Sequence, residues 1–183
     1  MPDYQESLSL FHEWTETVSL RRHAYAVEAA MAAYARHLGE DEELWRITGL
    51  LHDMDYEKHP TPEEHPFVGV ALLKERGYPA LVTDAILGHA PYSGTPRETQ
   101  LAKALFACDE LAGFITACGY VRPTNLVGLT PKSVKKKLKD KAFAAAVSRE
   151  DIRQGVEELG VELDAHIRLV IEGMQADAAR LGF

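Results

Sequence analysis

Apolar residues recur at alternating spacings of four and three, and this repeat constrains the fold more than any other feature of the chain. Six of them define one face of a predicted helix that ends at Gly39: Leu20, Ala24, Val27, Met31, Tyr34 and Leu38. The spacing matches the 3.6-residue period of an α-helix. No segment alternates apolar and polar residues with the two-residue period of a half-buried strand. The chain is therefore predicted to be all-α and to fold as a compact helical bundle.

Seven further helices are predicted from the same period together with capping and proline signals. They cover residues 41–52, 66–76, 79–90, 98–120, a lysine-rich helix that begins at Thr130, 148–160 and 163–181. The helix over 98–120 is apolar around its whole axis, so it is predicted to be the most buried of the set. Segments 54–64 and 91–96 contain prolines and are predicted to be loops.

A length of 183 residues and a hydrophobic content of 46% suit one domain with its own core. Folding then needs no metal, so any metal site is expected to be functional. The two cysteines, Cys108 and Cys118, lie on one predicted helix about 15 Å apart, too far to form a disulfide. This usage indicates a reducing compartment. The sequence shows neither a signal peptide nor an apolar run of the ~20 residues that a membrane span needs, so a cytoplasmic location is expected.

The net charge of −8 argues against binding to a nucleic-acid polymer, which normally requires a basic face. Basic residues are nevertheless concentrated in one stretch, at Lys132, Lys135, Lys136, Lys137, Lys139 and Lys141. This stretch is either a site for a phosphorylated small molecule or a solvated face. Arg122 and Lys135 are the candidate substrate-binding residues, because Arg offers a bidentate fork and Lys a point charge to a phosphate.

Histidines and aspartates occupy notable positions on the predicted helices. His23 lies beside the apolar face of its helix, the pair His52–Asp53 ends the next helix, and Asp109 lies inside the apolar helix. An isolated carboxylate in such a helix would be strongly destabilising, and a divalent cation with imidazole neighbours would stabilise it. Mixed nitrogen and oxygen ligands favour Mn, Fe, Co, Ni or Zn over Ca. These four residues are therefore candidate metal ligands.

The order of these residues resembles the H…HD…D signature of the HD-domain superfamily of metal-dependent phosphohydrolases. The flanking sequences Leu20-Arg21-Arg22 and Gly49-Leu50-Leu51 fit as well. The resemblance covers about 18–115. It implies a single HD domain over 1–183, with a metal-binding core at about 18–115 and a C-terminal helical extension at about 123–183. It also implies a divalent cofactor, one or two ions per chain, of Mn, Fe, Co, Ni, Zn or Mg.

Some HD proteins bind a second metal through extra histidines between the HD pair and the final aspartate, and His65 and His89 match those positions. His65 precedes Pro66 and is expected at a helix N-terminus, where the helix dipole would keep its ring neutral for ligation. Asp53 is then the expected bridge between two ions about 3.5–4 Å apart. Asp55 and Glu110 lie near ligands in the sequence and are expected to orient them through hydrogen bonds. Three other histidines lack a ligand context and are expected at the surface: His12, His59 and His166.

The resemblance implies hydrolysis of a phosphomonoester or phosphodiester of a nucleotide-like small molecule. Asp53 and His52 would be the central catalytic residues, and a metal-bound water that is hydroxide near neutral pH would be the nucleophile. Hydrolysis of cyclic di-GMP is disfavoured, because Gly88-His89-Ala90 has one histidine where that subfamily has two. Two alternatives stay open: a di-iron oxygenase of HD-like fold, and a non-catalytic nucleotide-binding signalling module. A homodimer through the amphipathic C-terminal helix is a further hypothesis.

Overall fold

The computed structural model describes residues 2–183, and these residues contain α-helices, turns and loops but no strand. The ten α-helices, α1 to α10 in chain order, are Tyr4–Trp14, Val18–Leu38, Glu42–Leu51, Phe67–Glu75, Ala80–His89, Gln100–Tyr120, Pro131–Leu138, Arg149–Leu159, Leu163–Ala176 and Ala178–Leu181. A short 3-10 turn occupies Pro91–Ser93. The prediction of a compact all-α bundle is confirmed.

Capping residues explain where many of the helices begin. The side chains of Asp41, Thr99, Thr130 and Ser148 each accept a hydrogen bond from the backbone N–H three residues further on. Gly39 follows α2 in the left-handed conformation with φ of 74°, which glycine adopts without strain. Gly39, Thr130 and Ser148 are among the signals from which the corresponding helices are predicted, and the predicted and observed bounds of these helices agree within two residues.

Two elements differ from the prediction. Helix α1 is not among the predicted helices, although Asp3 and Glu6 form a capping box at its start. The single helix predicted over 163–181 is interrupted at Asp177, where φ is −121°. The short helix that follows brings Arg180 within 2.5 Å of Glu28 on α2.

Helix α6 is the central element of the bundle. It packs against α2, α5, α8 and α9, and its residues Leu105, Leu111 and Phe114 are fully buried. Helix α8 approaches α6 closely at Gly155, where an added Cβ would lie 2.6 Å from the Cα of Ala107. Helix α9 packs on α2. The helices beyond residue 123 therefore share apolar contacts with the helices that carry the candidate ligands.

His166, expected at the surface, is buried between three helices, and that expectation is wrong. Its Nε2–H donates to the carbonyl oxygen of Ala107 on α6 (2.9 Å), and its Nδ1 lies 2.5 Å from the hydroxyl of Tyr34 on α2. The neutral ring satisfies both partners, with the phenol as donor to Nδ1. The sequence around His166 does not indicate this buried role, because both hydrogen-bond partners are distant along the chain.

We expect His166 to make folding stability depend on pH. Burial lowers the pKa of His166 to about 4, whereas an unfolded histidine has a pKa of about 6.5. Between these values the unfolded chain binds the extra proton, so stability falls as pH falls. The free energy of unfolding should be about 2 kcal/mol lower at pH 5 than at pH 7 through this residue. Urea unfolding of the wild type and His166→Gln at both pH values measures it; equal pH dependence in the two proteins would contradict the assignment.

Among the helices of residues 2–183, none combines the length and apolar character that crossing a membrane requires.

Candidate metal centre

Six side chains from five segments converge at one end of α3. His23 comes from α2, Asp109 from the middle of α6 and His89 from the last turn of α5. His52 and Asp53 directly follow α3, and His65 precedes α4. The side chains fall into two groups of three whose ligand atoms lie within 4.8 Å of one another: His23, His52 and Asp109, and Asp53, His65 and His89.

The first group is built around the carboxylate of Asp109. Its Oδ1 lies 3.0 Å from His23 Nε2 and 3.4 Å from His52 Nε2. Two ligands at right angles on one ion, with metal–ligand bonds of about 2.1 Å, are about 3 Å apart. The separations in this group are therefore close to those that a shared cation requires.

Asp53 connects the two groups, because its two oxygens face in different directions. Oδ1 lies 3.3 Å from His65 Nε2 and 3.2 Å from His89 Nε2. Oδ2 lies 3.5 Å from His52 Nε2 and 3.8 Å from His23 Nε2. A carboxylate with one oxygen toward each histidine pair has the geometry of a bridge between two cations.

Three of the histidines are held by hydrogen bonds on the ring nitrogen that faces away from the site. Nδ1–H of His52 donates to the Gly49 carbonyl (2.7 Å), and Nδ1–H of His89 donates to the Ile86 carbonyl (2.5 Å). Nδ1–H of His65 donates to Asp55 (2.7 Å). These bonds fix the tautomer that presents Nε2 to the site, as in histidines that ligate metals.

His52 supplies the most direct test of whether a cation fits. Its Nε2 is buried and has no hydrogen-bond partner within residues 2–183. A buried polar atom without a partner is destabilising and rare in folded proteins. A divalent cation next to Asp53 and Asp109 would satisfy it. The donor set of imidazole nitrogens and carboxylate oxygens suits Mn, Fe, Co, Ni or Zn.

Without a cation, protons on His52 and His65 compensate the carboxylates of the cluster. Burial lowers the pKa of His52, but the charges of Asp53 and Asp109 outweigh it and raise that pKa to about 9. Burial raises the pKa of Asp109, but the nearby charge of His52 and the hydrogen bond from His23 bring it well below its usual range. Burial also raises the pKa of Asp53, but the charge of His52 and hydrogen bonds from His65 and His89 lower it well below its usual range.

The expectation that a helix dipole keeps His65 neutral is wrong for the metal-free protein. Burial lowers the pKa of His65, but hydrogen bonds to Asp53 and Asp55 and their charges raise it to about 9. Two carboxylates in contact outweigh the partial charge of a helix terminus. A metal at this position therefore has to displace a proton from His65.

Asp55 lies behind His65, as the sequence predicts for an orienting residue. Its carboxylate is buried, and Oδ1 accepts the His65 hydrogen bond while Oδ2 accepts one from the backbone N–H of Gly69 (2.6 Å). Gly69 allows this approach because an added Cβ would lie 2.9 Å from the Asp55 carboxyl carbon. The contact ties the His65 ring to the first turn of α4.

Replacing Asp55 by alanine is expected to weaken metal binding at His65 roughly 10- to 100-fold, the usual effect of losing a carboxylate behind a ligating histidine. Calorimetric titration with Mn²⁺ measures the affinity. The matched control is Glu57→Ala, which removes a nearby carboxylate that bonds the backbone N–H groups of Glu16 and Thr17 instead. Unchanged affinity in Asp55→Ala, or an equal loss in the control, would rule out this role.

Glu110, the other predicted orienting residue, contacts the C-terminal extension. Its Oε2 accepts a hydrogen bond from the backbone N–H of Ser148, the N-cap of α8 (2.9 Å). Burial and the charge of Asp109 raise the pKa of Glu110 to about 7. The hydrogen bond joins the residue after Asp109 to the start of α8.

The structure does not bring Arg122 and Lys135 to the cluster. Helix α6 runs roughly 16 Å from Asp109 to its end at Tyr120 before Arg122 is reached. The Arg122 guanidinium donates to the carbonyls of Asn125 and Val127. Lys135 pairs with Asp164 on α9 (2.6 Å). Both cations thus stabilise the connector and the C-terminal helices, and their substrate-binding role stays a prediction.

Two tyrosines near the cluster were not singled out in the sequence. Tyr56 is 41% exposed, and its ring packs edge to face on His65 with centroids 5.2 Å apart. Tyr92, 52% exposed, lies in the 3-10 turn just after His89. Burial of its hydroxyl and the charges of Asp53 and Asp55 raise the pKa of Tyr92. Aromatic residues in the loops flanking a predicted ligand are the signal that could have identified them.

Comparison with known families agrees with this geometry. The family model of the HD domain matches residues 20–113, more than half of the chain. The matched range contains all six side chains of the cluster. No curated protein and no solved structure matches the chain. HD domains bind divalent metals, and the clustered histidines and aspartates form groups that could hold one. The chain therefore belongs to the HD-domain family, whose members are in general metal-dependent hydrolases.

Proposed function

We propose that the protein is a metal-dependent phosphohydrolase that cleaves a phosphomonoester or phosphodiester of a nucleotide-like small molecule. The single observation that carries the proposal is the position of Asp53, with Oδ2 toward His23 and His52 and Oδ1 toward His65 and His89. Such a bridge is the arrangement of enzymes that displace a group at phosphorus with two divalent ions.

In this proposal His23, His52, Asp109 and Asp53 hold one ion, and His65, His89 and Asp53 hold the second. When bound, the ions would polarise the phosphoryl oxygens and supply an activated water. The protein's own contribution is to hold the imidazoles in the correct tautomer and to keep one side of the site open. His52, His65 and His89 are buried, whereas the side chains of His23, Asp53 and Asp109 are 18–26% exposed. The substrate would approach from the side of these three residues.

Tyr56 and Tyr92 support a substrate with a planar base. Both are exposed beside the second histidine pair, and stacking on an aromatic side chain stabilises a bound base by about 1–3 kcal/mol. The hydroxyl of Tyr92 is protonated at neutral pH, as in any tyrosine whose pKa is not lowered, so that it can donate a hydrogen bond to the substrate.

We expect Tyr56→Leu and Tyr92→Leu to lower kcat/KM for a nucleoside monophosphate roughly 10-fold, with a much smaller effect on a sugar phosphate that lacks a base. Steady-state kinetics on the two substrates measures the ratio. Tyr120→Leu is the control, because Tyr120 is equally exposed at the far end of α6. Equal losses on both substrates would contradict a stacking role.

The proposal is tested with protein loaded with Mn²⁺, Co²⁺, Ni²⁺ or Zn²⁺ and a panel of nucleotides, cyclic nucleotides and simple phosphoesters. Release of phosphate or of a nucleoside that disappears in Asp109→Asn is the expected result. Absence of hydrolysis across the panel, in protein that demonstrably holds metal, would contradict it.

The same six side chains also support a di-iron oxygenase, since imidazole and carboxylate ligands suit iron. Substantial bound iron together with oxygen uptake in the presence of an organic substrate would favour the oxygenase. A non-catalytic nucleotide-binding module would give thermal stabilisation by nucleotides without turnover.

A further inference from the structure

A partly buried ion pair joins the segment after His89 to the C-terminal extension. The guanidinium of Arg97 donates to both oxygens of Glu158 on α8, through Nε (2.6 Å) and Nη2 (2.7 Å). The Arg97 side chain is only 9% exposed and stacks on the ring of Phe106, with its guanidinium carbon 3.7 Å from the ring centroid. Gln154 donates a further hydrogen bond to Glu158 (2.6 Å). Arg97 is therefore fixed by α6 and α8 together.

The remaining nitrogen of Arg97 acts on helix α5. Nη1 donates to the carbonyl oxygen of Gly88 (2.8 Å), one of the last carbonyls of α5, which has no partner inside the helix. Gly88 permits the contact, because an added Cβ would lie 3.0 Å from Arg97 Cγ. The next residue is His89, whose Nε2 lies 3.2 Å from Asp53 Oδ1. The Arg97 side chain thus holds the turn that carries a candidate ligand.

Glu158 lies outside the part of the chain that matches the HD-domain family, which ends at residue 113. The ion pair therefore links a helix beyond the family match to Gly88, the residue before His89. Glu28 forms two comparable ion pairs, with Arg46 and with Arg180. These connect α2, α3 and α10 and include no residue of the metal cluster. Ion pairs with a purely structural role would affect folding stability but not metal affinity. The Glu28 ion pairs therefore serve as a comparison for the Arg97–Glu158 pair.

We infer that Arg97 and Glu158 are positioning residues that fix His89 for the second metal ion, so that the C-terminal extension sets the affinity of that ion. The inference rests on the proposed two-ion site. Loss of the Arg97 hydrogen bond would free the Gly88 carbonyl and let the last turn of α5 shift. His89 would then leave Asp53, whereas His23, His52 and Asp109 would keep their positions.

The experiment uses the full chain and two readouts, Mn²⁺ titration by calorimetry and histidine-selective ¹⁵N NMR of the metal-free protein. In Arg97→Met, the dissociation constant of the second ion should rise roughly 10- to 100-fold, while that of the first ion stays within about twofold. The ¹⁵N resonances of His89 should shift and those of His23 should not. Glu158→Gln, which keeps the shape of the side chain, should shift both readouts in the same direction by less. If Arg97→Met does not fold, Glu158→Gln is the variant that tests the inference.

Arg46→Met is the matched control and should lower the melting temperature without changing either metal affinity or the His89 resonances. Unchanged second-ion affinity in the Arg97 and Glu158 variants, or an equal loss in the control, would overturn the positioning role and leave the two-ion site intact. A wild-type protein that binds one ion would instead overturn the two-ion site, and the positioning role with it.

Discussion

Replacing Asp53 by asparagine is expected to remove the second metal ion and to lower phosphoester hydrolysis by roughly 1,000-fold. An amide of nearly the same shape supplies one oxygen where the carboxylate supplies two, so it cannot serve both histidine pairs. The loss of several kcal/mol of charge stabilisation corresponds to a rate change of this size. Elemental analysis and single-turnover kinetics of the purified variant measure the two effects.

Asp84→Asn is the control for this variant, because Asp84 is an exposed aspartate on α5 outside the cluster. It should keep the wild-type metal content and rate. An Asp53→Asn protein that retains two ions and hydrolyses the substrate at the wild-type rate would show that Asp53 does not bridge the metals.

Replacing Glu28 by alanine is expected to lower the free energy of unfolding by about 3 kcal/mol, near the lower end of the range for removing one partner of a buried ion pair. Glu28 is almost fully buried on α2 and accepts hydrogen bonds from Arg46 (2.7 Å) and Arg180 (2.5 Å). Both guanidinium groups are about one-third exposed and can regain water, which limits the loss. The melting temperature should fall by roughly 6–12 °C.

Urea unfolding of the metal-free protein measures the effect of Glu28→Ala without a contribution from ligand binding. Glu43→Ala, on the exposed start of α3, is the control and should change stability by less than about 0.5 kcal/mol. Equal stability of the wild type and the Glu28 variant would show that the pair contributes nothing to the bundle.

The sequence is sufficient to predict most of the helices, because their signals are local. The apolar repeat of α2 and the caps at Asp41, Thr99 and Ser148 lie within a few residues of the backbone groups that they affect. Helix α1 carries such a signal as well, in the Asp3 and Glu6 capping box, but its acidic composition hides the apolar face. The interruption at Asp177 has no comparable local signal, and the short helix after it places Arg180 against Glu28, far away along the chain.

The candidate ligands could be identified from their order along the chain, but their division into two groups could not. That division depends on which oxygen of Asp53 faces which histidine, and this is set by the packing of α2, α5 and α6. The same limit applies to His166 and to Arg97, whose partners are on other helices. It also applies to Arg122, whose charge looked available in the sequence but is used by nearby carbonyls.

The C-terminal helices contact residues next to the metal centre at three points. His166 bonds the carbonyl of Ala107, the N-terminus of α8 bonds Glu110, and Glu158 holds Arg97 behind His89. The first two contacts lie within two residues of Asp109 on α6. Together they indicate how helices outside the family match can influence ligands within it.

The central claim is that one chain holds two divalent ions on six side chains, and metal content tests it most directly. Elemental analysis should be made on protein purified without added metal or chelator, then again after incubation with Mn, Co, Ni, Fe and Zn, with His65→Ala, His89→Ala and the control His59→Ala alongside. We expect two metals per chain in the wild type and in His59→Ala, falling to one or none in the other two variants. A wild-type protein that holds one metal or none under all of these conditions would contradict the two-ion site.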